Sequence, residues 1–348
     1  MMQRVEELSA REARILDAII QLYIETAEPA GSQAVAVRSK LGVSSATVRN
    51  TMGELEARGY LFHPHTSSGR IPTDLAYRVY VDRLMHHAPP SSEERELLES
   101  EVVLAQGGGA IEEILRRAAQ VLGVLTQELG VAVAPALDRV VLERLELVRV
   151  SAERLLVVLT LGSGFVRTIF LEIPSALAAE VVDHVARLLN ERLAGLPLGE
   201  IRASVADRLR DADGSGRATS LLNVFIAERE GVFDTVPDGG PVLLGSAQPL
   251  ADQPEFASNI RMRELLELTE RRDLLRNAFE SHRRRGLTIT IGTENADPKL
   301  AEFTLVTASY RRGDLTGVLG VMGPTRMPYD KIIGLVEHTS RLVEGLLT

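Results

Sequence analysis

The sequence predicts a multidomain α+β protein: an N-terminal winged helix-turn-helix, then an antiparallel α+β domain interrupted by an inserted α+β domain. Three observations predict it. Residues 9–85 carry three short helical patterns, two extended runs around a polar tip, and a fourth helix. Three strand-like runs followed by a helix occur twice, within 145–194 and again within 287–348. Residues 196–286 lie between the two copies. The expected divisions are 1–88 for the winged helix, 104–195 with 287–348 for the interrupted domain, and 196–286 for the insertion.

The N-terminal elements follow from their punctuation. Ser9 with Glu12 three residues on forms a capping box, and Ile15, Ile19, Leu22 and Tyr23 recur at helical spacing. Pro29 and Gly31 break that pattern, and Ser32 caps a short second helix ending near Lys40. Leu41-Gly42-Val43 is a tight turn. Ser44 or Ser45 caps a third helix whose buried face is Val48, Met52 and Leu55, with Gly59 at its C′ position. Tyr60-Leu61-Phe62 and Ile71 flank a polar tip, His63–Arg70, and read as a β-hairpin. Pro72-Thr73 open a helix to Met85, where Tyr77 and Tyr80 read as core or joint packing. Pro89-Pro90-Ser91-Ser92 and Gly107-Gly108-Gly109 read as two flexible joints behind this segment.

Further on, Ile111, Ile114, Leu115, Ala118, Leu122, Leu125 and Leu129 mark a long amphipathic helix. Strand-like runs near 145–150, 155–160 and 165–173 have short connections, so antiparallel neighbours are expected. A helix follows over about 176–194. The second copy has strands near 287–291, 303–309 and 315–322 and a final helix from Tyr329.

Composition narrows the function. The hydrophobic content of 45% supports a sizeable core. The absence of cysteine excludes disulfides, thiolate metal sites and cysteine nucleophiles, and fits a reducing cytoplasm. The N-terminus has no apolar signal-peptide core, and no run approaches the ~20 apolar residues of a spanning helix. The net charge is −9, yet residues 1–88 hold ten basic and ten acidic side chains, so the excess sits in the remainder. Within 30–73, Arg38, Lys40, Arg49, Arg58 and Arg70 face only Glu54 and Glu56. An acidic bulk discourages non-specific adhesion to nucleic acid while one basic face docks.

That segment carries the chemistry. In a helix-turn-helix the second helix braces the third, whose N-terminal end enters the major groove. Ser44, Ser45, Thr47, Arg49 and Asn50 lie there, away from the apolar face. Arg pairs bidentately with guanine and Asn with adenine, while Ser and Thr reach phosphates or bases. The hairpin tip brings His65, Thr66, Ser67 and Arg70 to the backbone or a minor groove.

The runs SSATVRNTMGELEARGYL and HPHTSSGRIPTDLAYRVYVDRLM, with VLLGSAQPLADQPEF, ITIGTEN and GVLGVMGPTRMPYDKIIGLVE, resemble the HrcA family of heat-inducible repressors. They span most of the chain in the family's order, and PHTSSGRIPT is particularly distinctive. The resemblance implies a GAF-like domain and an inserted domain that makes a homodimer. It implies repression of chaperone operons through an inverted-repeat operator of the CIRCE type, relieved by heat stress. It also implies the chaperonin GroEL as a partner, no cofactor and no enzymatic activity. Within 196–286, Leu221, Leu222, Val224, Phe225, Met262, Leu265 and Leu266 are the apolar candidates for the dimer contact.

Other signals are weaker. Asp211, Asp213, Ser215 and Gly216 imitate the start of a calcium loop, but Leu222 stands where that loop needs Glu, so a polar surface turn fits better. The pairs His63/His65 and His86/His87 lack a third ligand. Arg283-Arg284-Arg285 suits a helix C-terminus. No GxSxG, HExxH or P-loop pattern occurs. Two competing readings are a ligand-sensing regulator, since GAF-like domains often hold small molecules, and a catalytic module in the C-terminal domain.

Overall fold

The computed structural model describes residues 8–40, 42–64, 69–85, 88–106, 111–138, 140–162, 165–173, 177–210, 218–233, 240–313 and 315–347. The chain opens with α1 (Ala10–Thr26), α2 (Ser32–Ser39) and α3 (Ser45–Ala57). The capping box of α1 is present: Ser9 N donates to Glu12 Oε2 at 2.7 Å and Glu12 N to Ser9 Oγ at 3.3 Å. Lys40 and Gly42 are both left-handed, at φ 50° and 66°, which folds α3 back across α2. Ile15, Leu16, Ile19, Ile20, Val35, Val48, Met52 and Leu55 close one core among the three helices. A 13-residue helix such as α3 is marginal alone, so this apolar stripe holds it.

Strands β1 (Leu61–Phe62) and β2 (Ile71–Pro72) pair antiparallel, with Phe62 opposite Ile71. Ala30, between α1 and α2, bridges Arg70 through two backbone bonds of 2.8 and 3.0 Å, adding a third short strand. A Cβ at Gly69 would lie 2.4 Å from the Ala30 carbonyl oxygen, so the hairpin can approach this closely only with glycine there. Thr73 caps α4 (Asp74–Val79), which continues as a π-helical turn to Leu84. We call residues 8–85 the head.

The body begins with α5 (Ser92–Gln106), α6 (Ile111–Thr126) and β3 (Leu129–Val133). Then come β4 (Leu142–Arg149), β5 (Arg154–Leu161), β6 (Phe165–Glu172), α7 (Ala179–Leu193), α8 (Leu198–Leu209), α9 (Thr219–Ala227) and α10 (Arg229–Phe233). The chain returns with β7 (Val242–Leu244), α11 (Gln248–Ala251), α12 (Asn259–Glu270) and α13 (Arg272–Glu280). It ends with β8 (Thr288–Ile291), β9 (Phe303–Arg312), β10 (Leu315–Pro324) and α14 (Tyr329–Leu346).

Two antiparallel sheets result. The larger has the order β7-β3-β10-β9-β8. Alternation along its strands sends Leu129, Val131 and Val133 toward α12 and α13, and Ala132, Leu319 and Val321 toward α6 and α14. The smaller is β4-β5-β6, packed on α7–α10 with a separate apolar core. The antiparallel neighbours expected within 145–173 are thus present.

The strands group into sheets differently from the order the sequence pattern suggested. Strands 142–172, expected to share a domain with 287–348, form the smaller sheet, while β7 and α11–α13, expected inside the insertion 196–286, complete the larger one. Alternating apolar patterns reveal strands but not their partners, and β7 has three residues, too few to register as a period. Of the expected dimer positions, Leu221, Leu222, Phe225 and Leu265 are buried within the chain's own cores, Val224 and Met262 are half-buried, and Leu266 is exposed.

The Pro89-Pro90 joint is a packed contact. A Cβ at Gly334 of α14 would sit 2.3 Å from the Ala88 carbonyl oxygen and 3.4 Å from Pro90 Cδ. One apolar cluster runs without a break from α1 and α4 into α5, α6 and α14. The Gly107-Gly108-Gly109 joint and the calcium-like turn at 211–216 lie outside the described residues.

Candidate DNA interface

The N-terminal end of α3 is set by its cap. Ser44 Oγ accepts from Thr47 N at 3.2 Å and lies 3.1 Å from Thr47 Oγ1. Val48 then turns inward, fully buried, and leaves Ser45, Arg49 and Asn50 exposed on the opposite side, with Thr47 half-buried between. Neither Arg49 nor Asn50 makes a side-chain bond to any described residue. The helix N-terminus adds orphan backbone donors, which favour phosphate oxygens.

Three other cations of the segment, all arginines, are engaged. Arg38 holds Glu25 at 2.5 Å, Arg58 holds Glu12 at 2.8 Å, and Arg70 holds Glu56 at 2.8 Å. Glu56 also takes His63 Nδ1 at 2.8 Å. Of the five basic residues counted between 30 and 73, Lys40 and Arg49 form no ion pair with a described residue. The structure therefore separates the nominated site residues. Ser44, Ser45, Thr47, Arg49 and Asn50 come together on one surface. Arg70, mostly buried, ties the hairpin to α3 through Glu56. His65, Thr66 and Ser67 lie outside the described residues.

Among the described residues no group of three or more acidic or histidine side chains could hold a metal ion. No helix among them is long and apolar enough to cross a membrane.

The head is seated on the body by polar contacts that sequence reading did not assign. Arg78 of α4 donates through Nε and Nη2 to both oxygens of Glu294, at 2.8 and 2.5 Å, and through Nη2 to the Ile289 carbonyl at 2.7 Å. Asp74 accepts from Thr293 N and Oγ1 at 3.0 and 3.1 Å. Gly292, at φ 55°, lets that loop meet the carboxylate, which a Cβ would approach to 2.1 Å. At a second point Arg326 holds Glu255 at 2.5 and 3.0 Å and donates to the Ile24 carbonyl in the last turn of α1 at 2.6 Å. Between them Tyr77 and Tyr80 pack on Tyr329, with centroids 5.7 and 6.4 Å apart. The signal was present: ITIGTEN contains Gly292 to Glu294, and GPTRMPY contains Arg326 and Tyr329.

The family model of the HrcA protein C-terminal domain matches residues 112–333. A heat-inducible transcription repressor HrcA from Chlorobium luteolum is 38% identical, covering 98% of both chains. The chain belongs to the HrcA family of heat-inducible transcription repressors. The HrcA repressor of Chlorobium phaeovibrioides is 36% identical, again over 98% of each chain. A solved crystal structure described only as that of a hypothetical protein superposes on this HrcA-family chain with a TM-score of 0.71, at 25% identity, covering 98% of this chain and 99% of the other.

Below the seam sits a buried acid. Glu128 is 1% exposed and its Oε2 accepts from Gln253 Nε2 at 3.1 Å. Desolvation pushes its carboxyl well above the ordinary 4.5; the Gln253 bond and Arg326 pull back, and Glu255 pushes further up. A raised native value means that its contribution to stability is full below pH 4.5 and is lost as pH rises toward the native value. Glu128→Gln keeps the acceptor without the titration. Thermal melts should show similar melting temperatures for the two proteins near pH 4.5 and an advantage for the variant that grows as pH rises above it. An equal gap at every pH would place the ionisation elsewhere.

Proposed function

We propose that this chain is a dimeric repressor of heat-shock chaperone operons that reads an inverted-repeat, CIRCE-type operator through α3 and is relieved on heat stress. The observation that carries the reading is the side of α3 on which Ser45, Arg49 and Asn50 stand exposed, while Arg38, Arg58 and Arg70 are neutralised by partners. That arrangement gives the groove-facing end of a recognition helix its base-reading donors. The α1–α3 bundle with the β1–β2 hairpin and the Ala30 bridge supports a winged helix-turn-helix. The five-stranded antiparallel sheet between two helical layers supports a GAF-like domain, and 142–233 supports an inserted unit. Arg70 then serves the wing by fixing it to α3, while His65, Thr66 and Ser67 are its proposed phosphate or minor-groove contacts. Chaperonin GroEL as partner and a cytoplasmic site of action follow the family reading. We assign no cofactor or catalytic step.

An inverted repeat needs two heads related by a two-fold axis. The smaller sheet offers the surface. Its inner face is buried on α7–α10 through Leu155, Val157, Leu159 and Leu161. On its open face Val148, Leu156 and Phe170 stand in one cross-strand row, with Val148 47% and Phe170 57% exposed. Val166, 52% exposed, continues the patch. A strand apolar on both sides is the mark of a sheet covered on both faces. The proposed cover is the same face of a second copy.

Two tests follow. Replacing both Arg49 and Asn50 by Ala should leave the melting curve unchanged and cost about 1–3 kcal/mol of operator discrimination per lost bidentate contact, read by gel shift against scrambled DNA. Undiminished discrimination would remove α3 from the reading. Phe170→Asp should shift sedimentation from dimer to monomer without loss of helical signal, because the ring is more than half exposed in the single chain. A persisting dimer would place the interface on another face.

A further inference from the structure

The head could hang from the body as a tethered module or be held at one angle. The contacts across the seam decide between these. Arg78 and Arg326 stand on different elements, one in the head and one in the body, and each reaches across to the other part. Arg78 leaves α4 and makes a two-bond fork with Glu294 plus a bond to the Ile289 carbonyl of β8. Arg326 leaves the turn between β10 and α14, makes the same fork with Glu255, and donates to a C-terminal carbonyl of α1. That carbonyl belongs to the group a helix end leaves without an internal partner, where a cation is favoured. Both guanidinium groups are largely covered, at 25% and 13% side-chain exposure. The Arg78–Glu294 fork crosses the seam and fixes direction as well as distance, which a lysine point charge does not, while the Arg326–Glu255 fork lies within the body and aims the guanidinium at the Ile24 carbonyl. The Glu294 carboxylate is itself held by Ile291 N at 2.9 Å, and the Tyr77, Tyr80 and Tyr329 rings fill the space between the clamps.

From this geometry we propose that Arg78 and Arg326 are positioning residues for operator recognition. They clamp the head to the five-stranded sheet at two points, so that the body, and not the Pro89-Pro90 segment, sets the angle and separation of the two recognition helices. The proposal rests on the reading of α3 as the base-contacting helix and on a dimer. Neither arginine touches DNA in it. They act through the orientation of α3, and their effect concerns where the second half-site must lie.

The experiment uses the full-length protein and a series of duplexes. Each carries the inverted repeat the wild type protects in footprinting, with the spacer lengthened one base pair at a time over a helical turn. Each step rotates one half-site by about 34° around the axis. A held pair of heads should bind one spacing at least about tenfold more tightly than those half a turn away, because only then does the second contact gain from effective concentration. Arg78→Gln with Arg326→Gln should lower affinity at the preferred spacing and flatten the spacing profile to within about threefold, while binding to an isolated half-site stays at wild-type level. Arg78→Lys with Arg326→Lys should fall between. If the Gln variant loses half-site binding as well, its head has been disrupted, and Glu255→Gln with Glu294→Gln, which keep shape, are read instead. A spacing profile as sharp as wild type in folded variants overturns the proposal. A wild type that shows no preference for the repeat over scrambled DNA overturns the underlying reading instead.

Discussion

The guanidinium of Arg326 joins three distant parts of the chain. It leaves the turn after β10, pairs with Glu255 from the segment returning behind β7, and closes the last turn of α1 at Ile24. Without it, the Ile24 carbonyl would lose its donor and the Glu255 carboxylate its cation. Removing one partner of a largely covered ion pair is costly, because the other keeps its desolvation without the compensating charge. The position of the head depends on this contact and on the Arg78 clamp. The shared apolar core runs alongside them from α1 into α14. A cleft of about 700 Å³ opens beside the seam, lined by Phe62, Ile71, Leu75, Phe256 and Phe303. The two parts thus meet along a seam with polar clamps and open apolar walls.

Charge is distributed with the same economy. The chain is acidic as a whole, yet most cations near α3 are spent inside the head on Glu25, Glu12 and Glu56. Those pairs are partly exposed and contribute little each to stability. Their effect is positional: they fix α1 to α2, α1 to the end of α3, and the hairpin to α3. What remains uncommitted is concentrated where α3 begins. A surface with few free cations binds nucleic acid weakly unless bases are read, which favours discrimination over adhesion.

The head was legible because local chemistry dictates it. Ser9 with Glu12, Ser44 before α3, and Gly59 at φ 79° are each fixed by their neighbours in sequence. Long-range pairing was not legible. The choice of β3 and β7 as partners, across more than a hundred residues, depends on which apolar faces meet, and the run LLVVLTL in β5 reads the same in either sheet. The seam was half-legible. Gly292, Glu294, Arg326 and Tyr329 stand in motifs that marked the family resemblance, but nothing in their spacing reveals that they face Asp74, Arg78, Ile24 and Tyr77. At the candidate interface the apolar period of α3 identified its exposed side. It could not reveal that Arg70 is held by Glu56, a pairing made by the fold of the hairpin.

Reading by a pair of heads, as proposed, requires a two-part DNA site. Nuclease footprinting of the full-length protein on DNA upstream of chaperone genes tests it most directly. Two protected half-sites are expected in inverted orientation, on one face of the duplex, separated by a whole number of helical turns between centres. Protection that is uniform along the fragment, or confined to a single half-site at saturating protein, would contradict it.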